Sequence, residues 1–143
     1  MKIEHFIMIR FSIKKKDGKG FHHPVVNWDK KRLRNRFLIF ENSCFPSLAA
    51  QTNKDNFHVI IMISHDLPNE FKSRLHNYLE PHKFAHVVEV DNLNWGSGDF
   101  LKEFCSDDSE YIITTRLDDD DALHPQFSQI IKDFVLRKNL LTI

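Results

Sequence analysis

Four consecutive aspartates, Asp118–Asp121, follow a β-prone run and carry the strongest chemical signal in the sequence. Adjacent carboxylates repel one another, and a divalent cation relieves that repulsion. Carboxylate oxygens are hard ligands that suit Mg²⁺ or Mn²⁺. Alternate side chains of an extended chain point the same way, so Asp118 and Asp120 can share one face, while Asp119 and Asp121 would point elsewhere. Because Mg²⁺ usually keeps positions for water and substrate phosphates, the pattern favours a cation–diphosphate site over an all-protein cage.

The acidic run also has alternatives that require no cation. Acids ahead of a helix that begins near Pro125 would be favourable N-terminal charges, and solvated acidic loops are common. An EF-hand loop needs Gly at its sixth position, where Leu123 stands. An aspartyl-nucleophile phosphatase pattern follows the first strand and needs Thr where Ala122 stands. Because ligands of open α/β sheets bind beyond the carboxyl ends of the strands, the position of the run favours a ligand site.

The aspartates follow the last of four predicted strands. Short apolar, β-prone runs predict these strands at Ile3–Ile9, Phe57–Ile63, Ala85–Val90 and Tyr111–Leu117. Apolar residues at helical spacing predict helices from about Asp29 to Phe45, after Pro68, after Ser97 and from Pro125. This order predicts an α/β fold, with a mostly parallel sheet and helices on both of its faces.

Two of the predicted helices carry specific expectations. Asp29 is expected to cap the first helix, and the basic residues from Lys30 to Arg36 are expected to fill its outer face. Pro46 is expected either to interrupt this helix or to begin another turn. The last helix is expected to pack through an apolar stripe at helical spacing, formed by Phe127, Ile130, Ile131, Phe134 and Val135.

The composition argues against several classes of protein. In 143 residues, 20 Lys and Arg balance 20 Asp and Glu, so bulk charge would not hold this chain to nucleic acid. No apolar run approaches the roughly 20 residues that a membrane span needs. The two cysteines, Cys44 and Cys105, lack a CxxC pattern, and the histidines lack zinc-ligand spacing. We therefore predict reduced thiols, no zinc and a cytoplasmic protein.

Two further segments, one basic and one apolar, lie outside the predicted strands and helices. The basic segment Lys14–Lys19 is predicted to be a solvated loop. Alternatively, it guides an anionic donor, or it contacts anionic lipid head groups at the inner face of a membrane, where each basic residue contributes about 1 kcal/mol. The apolar stretch Asn139–Ile143 predicts the start of another buried element. Residues 1–143 are therefore expected to be one domain, truncated before a further part of the fold.

Two segments resemble GT-A glycosyltransferases of the family 2 type. The run from Leu117 to Pro125 (LDDDDALHP) resembles their Leu-Asp-x-Asp-Asp-x-Leu-x-Pro segment. The stretch Ser47–Thr52, followed by Phe57–Ile63, resembles their Ser-Leu-x-x-Gln-Thr segment and the strand after it.

The resemblance is closest to the rhamnosyltransferases of this type. These carry Arg-Phe at a strand end, here Arg10-Phe11, and a helix with Arg-Phe, Cys, Pro-Ser-Leu and Gln, here Arg36 to Gln51. The most specific string is Thr115–Leu123 (TRLDDDDAL). Together these segments resemble the nucleotide-sugar-binding half of the family's fold.

The resemblance implies a sheet of order 3-2-1-4, in which the ends of strands one and four form one cleft. It also implies a nucleotide diphosphate-sugar donor, a glycan or lipid-linked acceptor, and Mg²⁺ or Mn²⁺. The cation would be held by Asp118, Asp120 and Asp121. The nucleotide-sugar would be bound by Arg10, Phe11, Gln51, Ser64, Asp66, Arg116 and Asp118.

The sequence also departs from the family pattern. Ser64-His65 stands where these enzymes usually carry Asp-Asp, so Ser64 or Asp66 is the expected contact to the nucleobase. The family's general base comes well after the metal segment, and none is assigned here; His124 is predicted to start a helix. The alternative for Arg10 is a surface arginine at a strand end, and the alternative for Arg116 is a surface ion pair with the acids. The rival hypothesis for the chain is a non-catalytic nucleotide-binding module or an inactive truncated relative.

Overall fold

The computed structural model describes residues 1–13, 29–90 and 98–140. The segment Lys14–Lys19, Ser97 and the end of the apolar stretch lie outside these ranges. The described chain forms an α/β fold around four parallel strands, whose order in the sheet is the predicted 3-2-1-4. The strands are β1 (Ile3–Arg10), β2 (Phe57–Ser64), β3 (Ala85–Val90) and β4 (Tyr111–Asp118).

Helices cover both faces of this sheet. They are α1 (Lys30–Ile39), α2 (Phe45–Ala49), α3 (Asn69–Leu79), a 3-10 helix (Asp99–Phe104) and α4 (Phe127–Leu140). The chain runs in one direction from β1 to β3 and then reverses to reach β4. Right-handed crossovers therefore put α1 and α3 on one face and the 3-10 helix on the other. Of the described helices, none is long and apolar enough to cross a membrane.

The two faces of β1 belong to two separate cores. Ile7 packs in one cluster with Leu33 of α1 and Leu75 of α3. Phe6, on the opposite face, packs in the other cluster with Leu101 of the 3-10 helix. Burial on both faces explains why β1 is apolar at four successive positions, Phe6–Ile9.

A π-helical stretch, Phe40–Cys44, joins α1 to α2 in one continuous helical segment. Pro46 has no amide hydrogen, and in an α-helix its ring would crowd the carbonyl of Asn42. The helix widens at this point, and Phe45 N donates to a carbonyl five residues earlier. Pro46 thus begins a further turn of the same segment, one of the two outcomes that the sequence predicts.

Helix α3 anchors this π-helical stretch through Glu41. Tyr78 Oη donates 3.0 Å to the Glu41 carbonyl, which the wider turn leaves without its α-helical donor. Arg74 Nε donates a 2.9 Å hydrogen bond to Glu41 Oε1, and Arg74 Nη2 donates one of 2.9 Å to Glu41 Oε2. The long helical segment is therefore fixed against α3 by polar contacts as well as by packing.

Helix α4 packs through a different face from the predicted one. Ser128 and Lys132 are buried, whereas Ile130 and Phe134 are 54% and 57% exposed. The cause lies in β1, where His5 is buried beneath the helix with its Nδ1 3.2 Å from Ser128 Oγ. A buried imidazole needs a hydrogen-bond partner, so a polar side chain of α4 faces the sheet. The prediction of a buried apolar stripe is wrong at Ile130 and Phe134.

Both cysteines are free thiols, as the sequence predicts. Cys44 is buried in the core next to α1, and Cys105 is half-buried. Burial, and then the negative charges of Asp121 and Asp120, raise the pKa of the Cys44 thiol to about 12. Cys44 is therefore a neutral hydrogen-bond donor at physiological pH.

Candidate functional site

The four aspartates occupy two different environments. The side chains of Asp118, Asp120 and Asp121 are exposed, and one carboxylate oxygen of each lies within 4.8 Å of those of the other two. A turn brings them together, because Asp121 N donates 3.1 Å to the Asp118 carbonyl. Asp119 is 3% exposed. The strand alternation therefore ends at Asp118, and the turn, with Asp119 and Asp120 at its centre, places both Asp120 and Asp121 in the exposed cluster.

Arg36 of α1 is the partner of the buried Asp119. Its Nη2 donates to Asp119 Oδ1, and its Nε donates 3.2 Å to Asp119 Oδ2, so the guanidinium fork meets both carboxylate oxygens. Its Nη1 donates 3.3 Å to Asp120 Oδ2. The sequence predicts Arg36 on the outer face of the helix, and the structure corrects this: the side chain is 27% exposed and faces the aspartates. A buried carboxylate is stable only with such a partner.

The same helical segment also bonds the main chain that carries the aspartates. We call residues Asp118–Pro125 the acidic loop. Four residues between Cys44 and Thr52 each bond one main-chain atom of this loop, which fixes its path across the end of the sheet. The bonds are Cys44 Sγ to Asp118 O at 3.7 Å, Leu123 N to Ser47 Oγ at 3.0 Å, Gln51 Nε2 to His124 O at 2.8 Å and Thr52 N to Pro125 O at 2.9 Å.

A cavity of about 270 Å³ opens beside the aspartates where β1 and β4 end. Arg10, Arg116 and Asp118 line it, together with the apolar side chains of Met8 and Met62. The strand register places Arg10 opposite Asp118, and Arg10 Nη2 lies 3.8 Å from Asp118 Oδ1. The structure thus brings together three of the residues that the resemblance implies. Two guanidinium groups beside a carboxylate cluster can bind an anion together with a cation.

Other residues that the resemblance implies have different surroundings. Phe11 is fully buried, with its ring centroid 4.7 Å from that of Phe37, because the residue after Arg10 points to the opposite face of the sheet. Gln51 is buried, and its amide bonds main-chain atoms. Packing and main-chain bonding explain these two residues without a ligand. Ser64 is buried at the end of β2, and Asp66 is exposed in the turn that follows.

His124 lies just ahead of the turn that leads into α4, three residues before the helix begins at Phe127. Its Nδ1 accepts a 3.2 Å hydrogen bond from Gln126 N, and its carbonyl accepts one of 2.9 Å from Phe127 N. The turn that leads into α4 is therefore closed by His124 rather than by an aspartate carboxylate. This geometry weighs against the alternative in which the acidic run serves only to cap the helix.

The fold and the site together define a class of protein. The sheet is parallel and Rossmann-like, and its charged cleft lies at the carboxyl ends of the strands, where such sheets bind ligands. The residues present fit a divalent cation, because three exposed carboxylates converge and leave room for other oxygen ligands. The chain is therefore a Rossmann-like α/β protein with a charged cleft at the junction of β1 and β4.

Comparison with known proteins gives the family. The chain belongs to the family described as "putative rhamnosyl transferase", whose model matches residues 8–140. By its description this is a family of glycosyltransferases, and the match includes Arg10, Arg36 and the whole acidic loop. A search of curated proteins gives no match to the sequence.

Proposed function

We propose that this chain binds a nucleotide diphosphate-sugar together with Mg²⁺ or Mn²⁺, as the donor-binding part of a GT-A type glycosyltransferase. The sugar would pass to a glycan or lipid-linked acceptor. The observation that supports this most directly is the convergence of Asp118, Asp120 and Asp121 beside Arg10, at the edge of the sheet where β1 and β4 end. Membership of a glycosyltransferase family supports sugar transfer as the reaction.

Each residue of the cleft has a proposed role. Asp118, Asp120 and Asp121 are the candidate cation ligands, and a cation bound there would neutralise the charge of the diphosphate as the nucleotide leaves. Arg10 and Arg116 line the same cavity, and a guanidinium fork matches the geometry of phosphate oxygens. In this proposal the charge of the diphosphate is shared between the cation and two arginines.

The nucleobase contact and the general base are treated separately. Asp66 is exposed beyond the end of β2 and is the proposed contact to the nucleobase, with Ser64 just before it in the buried part of the strand. We assign no general base among the described residues. His124 lies in the acidic loop, but its Nδ1 is engaged by Gln126 N.

Calorimetric titration of the full chain tests the proposal. UDP, GDP and dTDP would each be added with and without Mn²⁺. We expect one of the three to bind, with an affinity at least about tenfold higher when Mn²⁺ is present, because the cation bridges acids and phosphates. Asp120→Asn should remove this gain, since it takes a charge from the cluster. Glu103→Gln, an exposed acid on the 3-10 helix, should bind as the wild type does.

Two other outcomes would change the conclusion. A folded chain that binds none of the three nucleotides, with or without Mn²⁺, would contradict the proposal. Mn²⁺-dependent binding without release of sugar from the matching nucleotide-sugar, either to water or to an acceptor, would favour the rival hypothesis of a non-catalytic nucleotide-binding module.

A further inference from the structure

We propose that Arg36 is a positioning residue that determines, through Asp119, which of the four adjacent aspartates converge at the surface. The inference rests on the proposed function, because cation binding is the use that the proposed function gives to the converging carboxylates. Arg36 lies on α1, 83 residues before Asp119 in the sequence, so its contact with the acidic loop is a product of the fold.

The contacts of Arg36 differ in kind from the other contacts that the helical segment makes with the acidic loop. Cys44 and Ser47 bond main-chain atoms of the loop, which fixes its path. Arg36 bonds the carboxylates of Asp119 and Asp120, which fixes the directions of those side chains. The guanidinium group thus holds one aspartate inside the protein and one at the edge of the exposed cluster.

The burial of Asp119 makes this arrangement depend on Arg36. An ionised carboxylate that is 3% exposed is strongly unfavourable without a charged partner. Without the guanidinium group, Asp119 must either take up a proton or turn toward solvent. Asp119 and Asp120 are the central residues of the turn that the bond from Asp121 N to Asp118 O closes, so turning Asp119 outward would rearrange this turn. The rearrangement would move Asp120 and Asp121 away from Asp118, and Arg36 therefore keeps the turn in the conformation that exposes three carboxylates together.

The loss of Arg36 has opposite expected effects under two explanations. If Arg36 acted only as a nearby positive charge, its removal would tighten cation binding, because like charges repel. If Arg36 positions the carboxylates, its removal weakens cation binding although a repulsive charge has gone. The sign of the change in Mn²⁺ affinity therefore separates the two explanations.

The first measurement is Mn²⁺ affinity of the full chain, read from the electron paramagnetic resonance signal of free Mn²⁺. Arg36→Met should bind Mn²⁺ at least about tenfold more weakly than the wild type. Arg36→Lys should fall between them, because it keeps the charge and loses the fork. The matched control is Arg34→Met, which removes the same charge from an exposed position of α1 and should change the affinity less than twofold. Wild-type or tighter binding by Arg36→Met would overturn the proposal.

The second measurement needs no cation and follows amide hydrogen exchange within the acidic loop. Asp121 N donates to Asp118 O, and Leu123 N donates to Ser47 Oγ, so both amides report on the loop. In Arg36→Met they should exchange at least about tenfold faster, whereas the His5 amide in β1 should be unchanged. Unchanged loop amides in Arg36→Met would overturn the inference.

The two measurements distinguish the inference from the proposed function. Faster exchange in the loop of Arg36→Met, together with no Mn²⁺ binding by the wild type, would leave Arg36 as the residue that positions the loop and reject the cation site. If Arg36→Met does not fold, the same two readouts on Arg36→Lys decide the question, since that variant keeps a positive charge opposite Asp119.

Discussion

The Gln51 side-chain oxygen accepts the amide hydrogen of Ser128 at 2.9 Å, which joins the end of the long helical segment to the first turn of α4. The nitrogen of the same side chain donates 2.8 Å to the His124 carbonyl, at the end of the acidic loop. Gln51 is buried, so both bonds are shielded from water. This one side chain sets the distance between the acidic loop and the helix that follows it.

Replacing Gln51 with Leu should destabilise the protein by about 1–3 kcal/mol. The size of the side chain is nearly kept, but the buried Ser128 amide loses its acceptor, and an unsatisfied buried group costs that much. Urea unfolding at pH 7.5 measures the change. Gln126→Leu, an exposed neighbour of the same loop, should change the free energy of unfolding by less than about 0.5 kcal/mol. An equal effect of the two substitutions would contradict the assigned role of Gln51.

Acid should destabilise the protein through His5. The imidazole is fully buried, with Nε2 3.0 Å from Thr115 Oγ1. Burial, and then the positive charge of Lys132, lower the pKa of His5 to about 4. An unfolded His has a pKa near 6.5, so between pH 6.5 and 4 the unfolded chain binds more protons than the native one. Stability therefore falls as the pH falls through this window, by about 1.4 kcal/mol per pH unit.

Urea unfolding at pH 7.5 and pH 5.5 tests this for the wild type and for His5→Gln. The wild type should lose about 1 kcal/mol more than the variant over this interval. Burial, and then the charge of His58, also lower the pKa of His86. His86 is present in both proteins, so its contribution to the pH dependence cancels in the difference. Equal losses in the two proteins would show that His5 titrates normally in the folded state.

Glu4 forms a second buried charged cluster, at the opposite end of β1 from the aspartates. Its Oε1 accepts hydrogen bonds of 2.5 Å from Ser106 Oγ and 2.8 Å from Ser109 Oγ, and its Oε2 lies 2.8 Å from His58 Nε2. Burial alone would raise the pKa of Glu4, but these hydrogen bonds outweigh it and lower the pKa to about 2. Their stabilising contribution is thus present above the unfolded pKa and is lost as the pH falls toward 2.

Ser106→Ala should therefore destabilise the protein at pH 7 by about 1.5–3 kcal/mol, since it removes a hydrogen bond to a charged group. The substitution should also raise the pKa of Glu4, which a carboxyl-carbon NMR titration measures. The destabilisation should shrink in urea unfolding at pH 3. Ser73→Ala, at an exposed position of α3, is the control and should leave both quantities unchanged. A pKa of Glu4 that stays near 2 in Ser106→Ala would contradict the assigned cause.

The parts of the fold that the sequence predicts are those set by short-range pattern. Each strand is a short apolar run, and its burial can be inferred without knowing its partners. Asp29 caps α1 as expected, since its Oδ1 accepts a 2.7 Å hydrogen bond from Lys31 N. This contact is predictable because it joins residues only two apart in the sequence. The position of the acidic run after β4 follows equally from local pattern. The strand order, by contrast, follows from the resemblance to a known fold.

The parts that the sequence does not predict depend on partners distant in the chain. Arg36 lies among exposed basic residues, and periodicity alone cannot show that a buried Asp119 faces it. The packing of α4 is a similar case, but there a signal exists in β1. His5 falls on the same face of the strand as Ile7, so a polar residue has to cover it, and Ser128 does. A buried polar residue can therefore override an apolar stripe on the facing helix.

Asp121 should stabilise the protein only when a cation is present. In the cation-free protein, Asp121→Asn removes repulsion from Asp118 and Asp120, so the Tm should rise by about 1–2 °C at low salt. This rise in Tm should be smaller in about 0.5 M salt, because the Debye length there is only a few ångströms. With Mn²⁺ in tenfold excess over its Kd, the wild type should gain about 1.4 kcal/mol and the variant much less. The order of stabilities should therefore reverse.

Scanning calorimetry with and without Mn²⁺ measures this reversal. Glu103→Gln provides the comparison, because it removes one exposed charge away from the cluster and should preserve the response of the wild type to Mn²⁺. A lower Tm for Asp121→Asn than for the wild type in cation-free, low-salt buffer would mean that Asp121 makes a net favourable contact there. An equal response of both proteins to Mn²⁺ would remove Asp121 from the set of ligands and leave Asp118 and Asp120 as the candidate pair.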